Sequence, residues 1–258
     1  MTLAAIVETA PAPGLLRWTI DHADKRNALS PAMLAWIQRR AGELRGEVVL
    51  LDAAPGPCFC AGFDLGALPE GQVDVGVAPD APLILATQAL QAADAVTIAV
   101  ITGDVFGAGV ELVAACDLRF AAPTVRFTVP AARLGVVYHP RGVALLHHVF
   151  GPALARRLLL AGESVAADEA LRAGALAGLH PTEALHQAAR DLAERLRQGA
   201  PLALRAHRDL LRALDRGGPT DAELADYDHA RRAAYASDDH REGRAAARER
   251  RPPRFGGR

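Results

Sequence analysis

The sequence predicts an α/β protein: a mostly parallel sheet core followed by a helical C-terminal subdomain. Two observations lead there. Continuous apolar runs such as EVVLLDA (47–53) and VTIAVIT (96–102) are followed by helical patterns, which is how strands covered on both faces read. From about Val143 the texture changes, and one helical pattern follows another, each closed by Gly, Pro or Ser. The length of 258 residues, 50% of them hydrophobic, suits one globular domain or one domain with a small appendage.

Each element has a local reason. LAAIVET (3–9) and GLLRWTI (14–20) flank the turn 11–14 and predict a hairpin. DHADKRNALS (21–30) is a polar connection. It ends with Ser30 as N-cap and Pro31 at the first helical position, before Met33, Leu34, Ile37, Ala41 and Leu44 at helical spacing. Residues 65–82 hold three glycines and three prolines and are expected to form a mobile surface loop, while APLILATQALQAAD (81–94) reads as a helix. GVELVAAC (109–116) opens another helix after the second apolar strand. Helical patterns then run through ALLHHVFG (144–151), PALARRLLLAG (152–162), and the segments 182–198, 201–217 and 220–237. His147 and His148 are expected to be packing residues of their helix. The tail 239–258 carries seven arginines and three acids, a local excess of four positive charges, which fits a solvated helix face or a site for a phosphorylated ligand.

Composition narrows the partners. A net charge of −1 gives no general attraction to nucleic acid or membrane, and no run reaches the roughly 18 apolar residues a spanning helix needs. MTLAAIVETAPAPG lacks the basic start and long apolar core of a signal peptide. Three cysteines make no disulfide framework, so a reducing, cytoplasmic setting is expected. Cys58 and Cys60 are spaced C-x-C, unlike the usual zinc or redox pairs, and Cys116 lies in apolar sequence. All three are read as buried, inert thiols, with no metal site.

Two small-residue turns remain: PCFCAGFDLGAL (57–68) and GDVFGAGVELVAAC (103–116). A helix beginning at the second offers N–H groups without intrahelical partners, and glycine and alanine let a ligand oxygen approach them. Glu111, three residues after Ala108, emerges on the same face as the Ala108 N–H. A carboxylate and an oxyanion donor flanking one point are what enolate chemistry on a thioester requires. The plainer readings are a first-turn acid facing the helix dipole and glycines that pack helix on strand.

DKRNALS (24–30), CFCAGFDL (58–65), GDVFGAGVEL (103–112) with CDLRFAAP (116–123), FTVPAARLGVV (127–137) and the ending REGRAAARERRPPRFGGR (241–258) carry a resemblance. Their order and spacing resemble the enoyl-CoA hydratase/isomerase (crotonase) superfamily over essentially the whole chain. The resemblance implies a crotonase-like spiral ββα core that binds acyl-CoA, drawn as 1–195, and a helical oligomerisation or lid subdomain, 196–258. It makes the backbone N–H groups of Phe63, which follows Ala61 and Gly62, and of Ala108 the oxyanion donors. Glu111 becomes the retained catalytic glutamate and Asp64 a brace of the first turn. Coenzyme A, part of the substrate and the only cofactor implied, would run along Lys25, Arg26, Ala28 and Leu29. Arg251, Arg254 and Phe255 would complete the nucleotide site, across a subunit boundary of a homotrimer or homohexamer. The 65–82 loop, Val110, Ala131 and Val136 would shape the acyl pocket.

The chain also departs from that pattern. Ala131 stands where hydratases of the superfamily place a second glutamate, and YHPRG (138–142) stands where they often have a glycine-rich turn. Tyr138 is carried as a candidate replacement. His139 is a second candidate for that role, and the favoured alternative is that both merely fill the space left by the altered turn. The implied activity is that of an enoyl-CoA hydratase/isomerase-like enzyme working through a thioester enolate with one carboxylate. A decarboxylase or thioesterase of the same fold, or a silent acyl-CoA binder, would share these features. A serine hydrolase is not supported, because no G-x-S-x-G element occurs and Ser30, Ser164 and Ser237 read as caps or loop residues.

Overall fold

The computed structural model describes residues 5–67 and 79–258, so most of the 65–82 loop lies outside the described residues. The hairpin is present: β1 (Ala5–Ala12) pairs antiparallel with β2 (Leu15–Asp21), with Glu8 opposite Trp18. A 3₁₀ turn at Ala23–Lys25 leads to α1 (Pro31–Gly42), where the Met33 N–H donates to Ser30 Oγ at 3.2 Å. That is the cap the sequence predicted, and Met33, Leu34, Ile37 and Ala41 are all buried.

Then come β3 (Glu47–Ala53), α2 (Ala81–Ala92) and β4 (Ala95–Ile101). A two-residue β5 (Val105–Phe106) precedes α3 (Ala108–Ala114), β6 (Leu118–Ala121) and β7 (Arg126–Thr128). The chain continues through α4 (Pro140–Arg156), β8 (Ser164–Ala166), α5 (Ala167–Arg172), β9 (Gly178–Leu179) and α6 (Thr182–Arg197). It ends in α7 (Pro201–Asp215), α8 (Asp221–Ala236) and α9 (Asp238–Glu249). The main sheet has the order β1-β2-β3-β4-β6-β9, parallel at every step after the hairpin, and β5, β7 and β8 form a second small sheet. The α/β class with a helical C-terminal part is therefore as the sequence predicts.

Two expectations change. The helical texture after Val143 is interrupted by β8 and β9, which are too short to leave a period in the sequence. His147 and His148 do not pack inside: both are exposed, and His148 Nε2 lies 3.0 Å from Asp215 Oδ1. The helix α6 runs past the 195/196 division to Arg197 and lies on β3, β4 and β6. The helical run 140–161 is long and apolar enough to cross a membrane, yet Gly151 (φ 75°) and Pro152 break it, and Leu146, Phe150, Leu154 and Leu158 are buried.

The helical end is tied to the sheet by one buried cation. Arg212 of α7 donates to both Asp117 carboxylate oxygens at 2.8 Å and to the carbonyls of Ala93 (2.7 Å) and Ala95 (3.0 Å) at the start of β4. Asp117 in turn accepts from the Thr97 N–H and hydroxyl. The arginine-rich tail folds back on α9, where Asp239 accepts the Gly256 and Gly257 amides. Part of its positive charge is spent locally, in the pairs Arg241–Asp238, Arg251–Glu242 and Arg251–Glu249.

Candidate active site

The first turn is laced to the segment after β2. The Ala61 N–H donates to Arg26 O (3.1 Å), Leu29 N–H to Gly62 O (2.8 Å) and Asp64 N–H to Leu29 O (2.9 Å). Asn27, buried and in the left-handed region, fixes this strip by donating from Nδ2 to Ala54 O at 2.9 Å. Sequence reading thus selected Arg26, Ala28, Leu29, Ala61, Phe63 and Asp64 separately, and the structure puts them on one ladder. Lys25 joins it by pairing with Asp64 at 2.7 Å, and this ammonium holds the Asp64 carboxyl below its ordinary value. Asp64 also accepts the Gly66 N–H within the turn.

The second turn docks against the first. The Phe106 N–H donates to Cys60 O (2.8 Å), and the Gly107 N–H to Thr128 O (2.9 Å). Gly62 has φ +98°, and a Cβ there would lie 3.1 Å from Phe106 O and 3.7 Å from Ala108 N. Only glycine permits that conformation at that distance. The peptide leading into Phe63 therefore sits beside the Ala108 N–H at the start of α3. Among the described residues, neither the Phe63 nor the Ala108 amide donates to the backbone bonds that hold these turns.

Glu111, in the first turn of α3, has 0% of its surface exposed. Its Oε1 is 2.8 Å from His139 Nε2 and 3.5 Å from the Thr87 hydroxyl of α2, while Oε2 is buried without a partner among the described residues. Burial pushes the carboxyl pKa up, His139 pulls it back, and Asp80, just before α2, adds to the rise. Tyr138 completes the group. Its hydroxyl faces Gly107, 3.8 Å from where a Cβ would stand, and burial with the nearby Glu111 charge keeps the phenol protonated by raising its pKa.

His139 corrects the sequence reading: it does not merely fill space. It is the N-cap of α4, accepting the Gly142 N–H on Nδ1 at 3.2 Å while Nε2 faces Glu111. Its only signal in the sequence was a polar residue directly before Pro140, the pattern of a helix start. Ala131 is buried and opens a 3₁₀ turn, 131–134, so its position offers a methyl group and no proton carrier. Val110 is buried, whereas Val136 is exposed. Arg254 and Phe255 make their contacts within the C-terminal unit: the Arg254 N–H donates to Glu242, and Phe255 packs over Gly243.

Two measurements arise directly from this packing. A Cβ on Gly142 would lie 2.7 Å from Glu111 Oε2 and 3.0 Å from His139 Nε2. On an open helix Gly→Ala adds about 1 kcal/mol of stability. Here overpacking of about 1–3 kcal/mol outweighs it, so Gly142→Ala should lower the melting temperature and misplace the carboxylate. The thiols give the second. Burial raises Cys60 and Cys116 to about 12 and also raises Cys58. Native protein at neutral pH should resist iodoacetamide at all three, read by mass spectrometry, and react only after unfolding.

Comparison with known proteins identifies the family. The family model for enoyl-CoA hydratase/isomerase matches residues 12–258. The 2,3-dehydroadipyl-CoA hydratase of Escherichia coli (strain K12) is 31% identical over 257 residues, covering 95% of this chain and 96% of that protein. The methylmalonyl-CoA decarboxylase of the same strain is 30% identical over 242 residues, 92% of each chain. A crystal structure of an enoyl-CoA hydratase from Bacillus anthracis superposes with a TM-score of 0.87 at 25% identity, covering 98% of this chain and 99% of that one.

Proposed function

Because the chain belongs to the enoyl-CoA hydratase/isomerase family, we propose that it acts on an acyl-CoA thioester through an enolate, with Glu111 as its single proton carrier. One observation carries the reading: Glu111 is fully buried, anchored through Oε1, and keeps Oε2 without a partner among the described residues. A buried carboxylate is costly unless both oxygens are satisfied. A buried oxygen left without a partner suits a base awaiting a substrate C–H.

In this reading Oε2 takes the proton next to the thioester carbonyl. The electron pair moves onto the carbonyl oxygen, which accepts from the Phe63 and Ala108 N–H groups. Tyr138, protonated and close to Gly107, lines the same point. Ala131 supplies no second carboxylate to position water, so proton exchange and double-bond migration need nothing further while hydration would. Coenzyme A would follow the Lys25–Leu29 strip, with Arg254 and Phe255 reaching it from another copy of the chain in a trimer or hexamer. The setting proposed is cytoplasmic, with no nucleic-acid or membrane partner.

A second reading shares the enolate. The decarboxylase relative fits a site in which loss of CO₂, not proton removal, generates the charge. Proton exchange at the α- and γ-carbons of butyryl-CoA and 3-butenoyl-CoA in heavy water, followed by mass spectrometry, separates the two. Exchange that disappears in Glu111→Ala supports the base. Tight thioester binding with no exchange in the unaltered protein overturns it in favour of decarboxylation or silent binding.

A further inference from the structure

We propose that His139 is a positioning residue for Glu111: α4 holds it as a neutral imidazole with the proton on Nε2, so that Oε1 is tied down and Oε2 alone is offered to substrate. This rests on the reading of Glu111 as the base.

Donor and acceptor geometry fixes the tautomer. The Gly142 N–H points at His139 Nδ1 at 3.2 Å, so that nitrogen accepts and carries no hydrogen. The ring proton is then on Nε2, which donates to Glu111 Oε1 at 2.8 Å. Three features make the arrangement rigid. His139 is the N-cap of α4, Pro140 follows it in the first turn, and Gly142 approaches so closely that a Cβ would collide with both partners. A donor at Oε1 favours the ionised carboxyl that burial disfavours.

The same geometry blocks a relay. For His139 to take the proton that Oε2 has gained, Nδ1 would have to become the bare nitrogen's opposite, a donor, and the Gly142 bond would break. The C–H bond opens, the O–H bond forms on Oε2, the electron pair rests on the thioester oxygen, and the proton goes back to the substrate from Glu111 itself. Among the described residues, the groups facing Glu111 are Asp80 and Thr87 from α2 and the turn before it, and Tyr138 and His139 from the segment entering α4. Of these, Asp80 opposes ionisation and Thr87 supports it through a longer bond than that of His139.

The test uses the full chain and two readouts. In ¹⁵N-histidine NMR at neutral pH, the signal missing from His139→Gln should show a protonated Nε2 and a bare Nδ1. A proton on Nδ1, alone or with Nε2, overturns the proposal. In heavy-water exchange with butyryl-CoA and 3-butenoyl-CoA, His139→Ala should lose about 10- to 100-fold, the worth of a hydrogen bond to a charged group. The acidic limb of its pH profile should move to higher pH. His139→Asn keeps a good helix cap but does not reach Oε1, so it should show the same shift with little loss of melting temperature. His139→Gln, with a longer amide donor, should bring the limb back. An unchanged rate and limb in both the Ala and Asn variants overturns the proposal while leaving Glu111 as base. Exchange that survives Glu111→Ala overturns the base itself.

Discussion

Glu111→Gln should lose about 10²–10⁴-fold of the proton-exchange rate, the usual worth of a general base, and should melt above the unaltered protein at neutral pH. The two effects have one origin. Burial raises the carboxyl above its ordinary 4.5, so between that value and the folded-state value the native chain keeps a proton that the unfolded chain has released. Unfolding in that window releases a proton, and stability therefore falls as pH rises through it. The amide is a neutral stand-in for the protonated acid and escapes this loss. The gap in melting temperature between Gln and Glu should be small below about pH 4.5 and widen above it. Equal melting curves at every pH would show that Glu111 is better solvated than its surroundings indicate.

Ala108→Pro should fold and yet lose about 10²–10³ in rate, as expected for one missing oxyanion donor. Side-chain changes do not remove a backbone N–H, but proline does. The first position of a helix is where proline is best tolerated, and Ala108 opens α3. The residue before a proline must be extended, and Gly107 at φ 50°, ψ −118° is the mirror image of an extended conformation, which glycine adopts freely. Thermal unfolding and thioester binding report whether the chain is intact. A folded variant that exchanges protons at the original rate would remove Ala108 from the chemistry.

What the sequence disclosed was local. Ser30–Pro31 announces α1, the apolar runs announce β3 and β4, and the glycines mark both turns, because each signal lies within a few residues of its effect. The strands β5 to β9 hold two to four residues each and exist through pairing with distant partners, so no period betrays them. The site divides the same way. Glu111 and the Phe63 and Ala108 amides were selected from motif positions, and their roles are proposals. His139, 28 residues from Glu111, was misjudged because nothing in YHPRG says which buried acid its ring will meet. Lys25 was read as part of the coenzyme A strip, and its pairing with Asp64, 39 residues away, emerged only from the fold.

The buried Arg212 makes the helical end a mechanical part of the sheet. Pulling α7 away would break the Arg212 bonds to Asp117 and to the Ala93 and Ala95 carbonyls at once, and a buried group left unpaired costs about 1–3 kcal/mol. Separation of α7 from β4 is then no fraying event but part of cooperative unfolding. The helices α8 and α9, by contrast, are attached in series, with α8 on α7 and α9 on α8. Amide hydrogens should accordingly survive longest in β4 and the Arg212 turn of α7, and wash out progressively toward the arginine-rich tail.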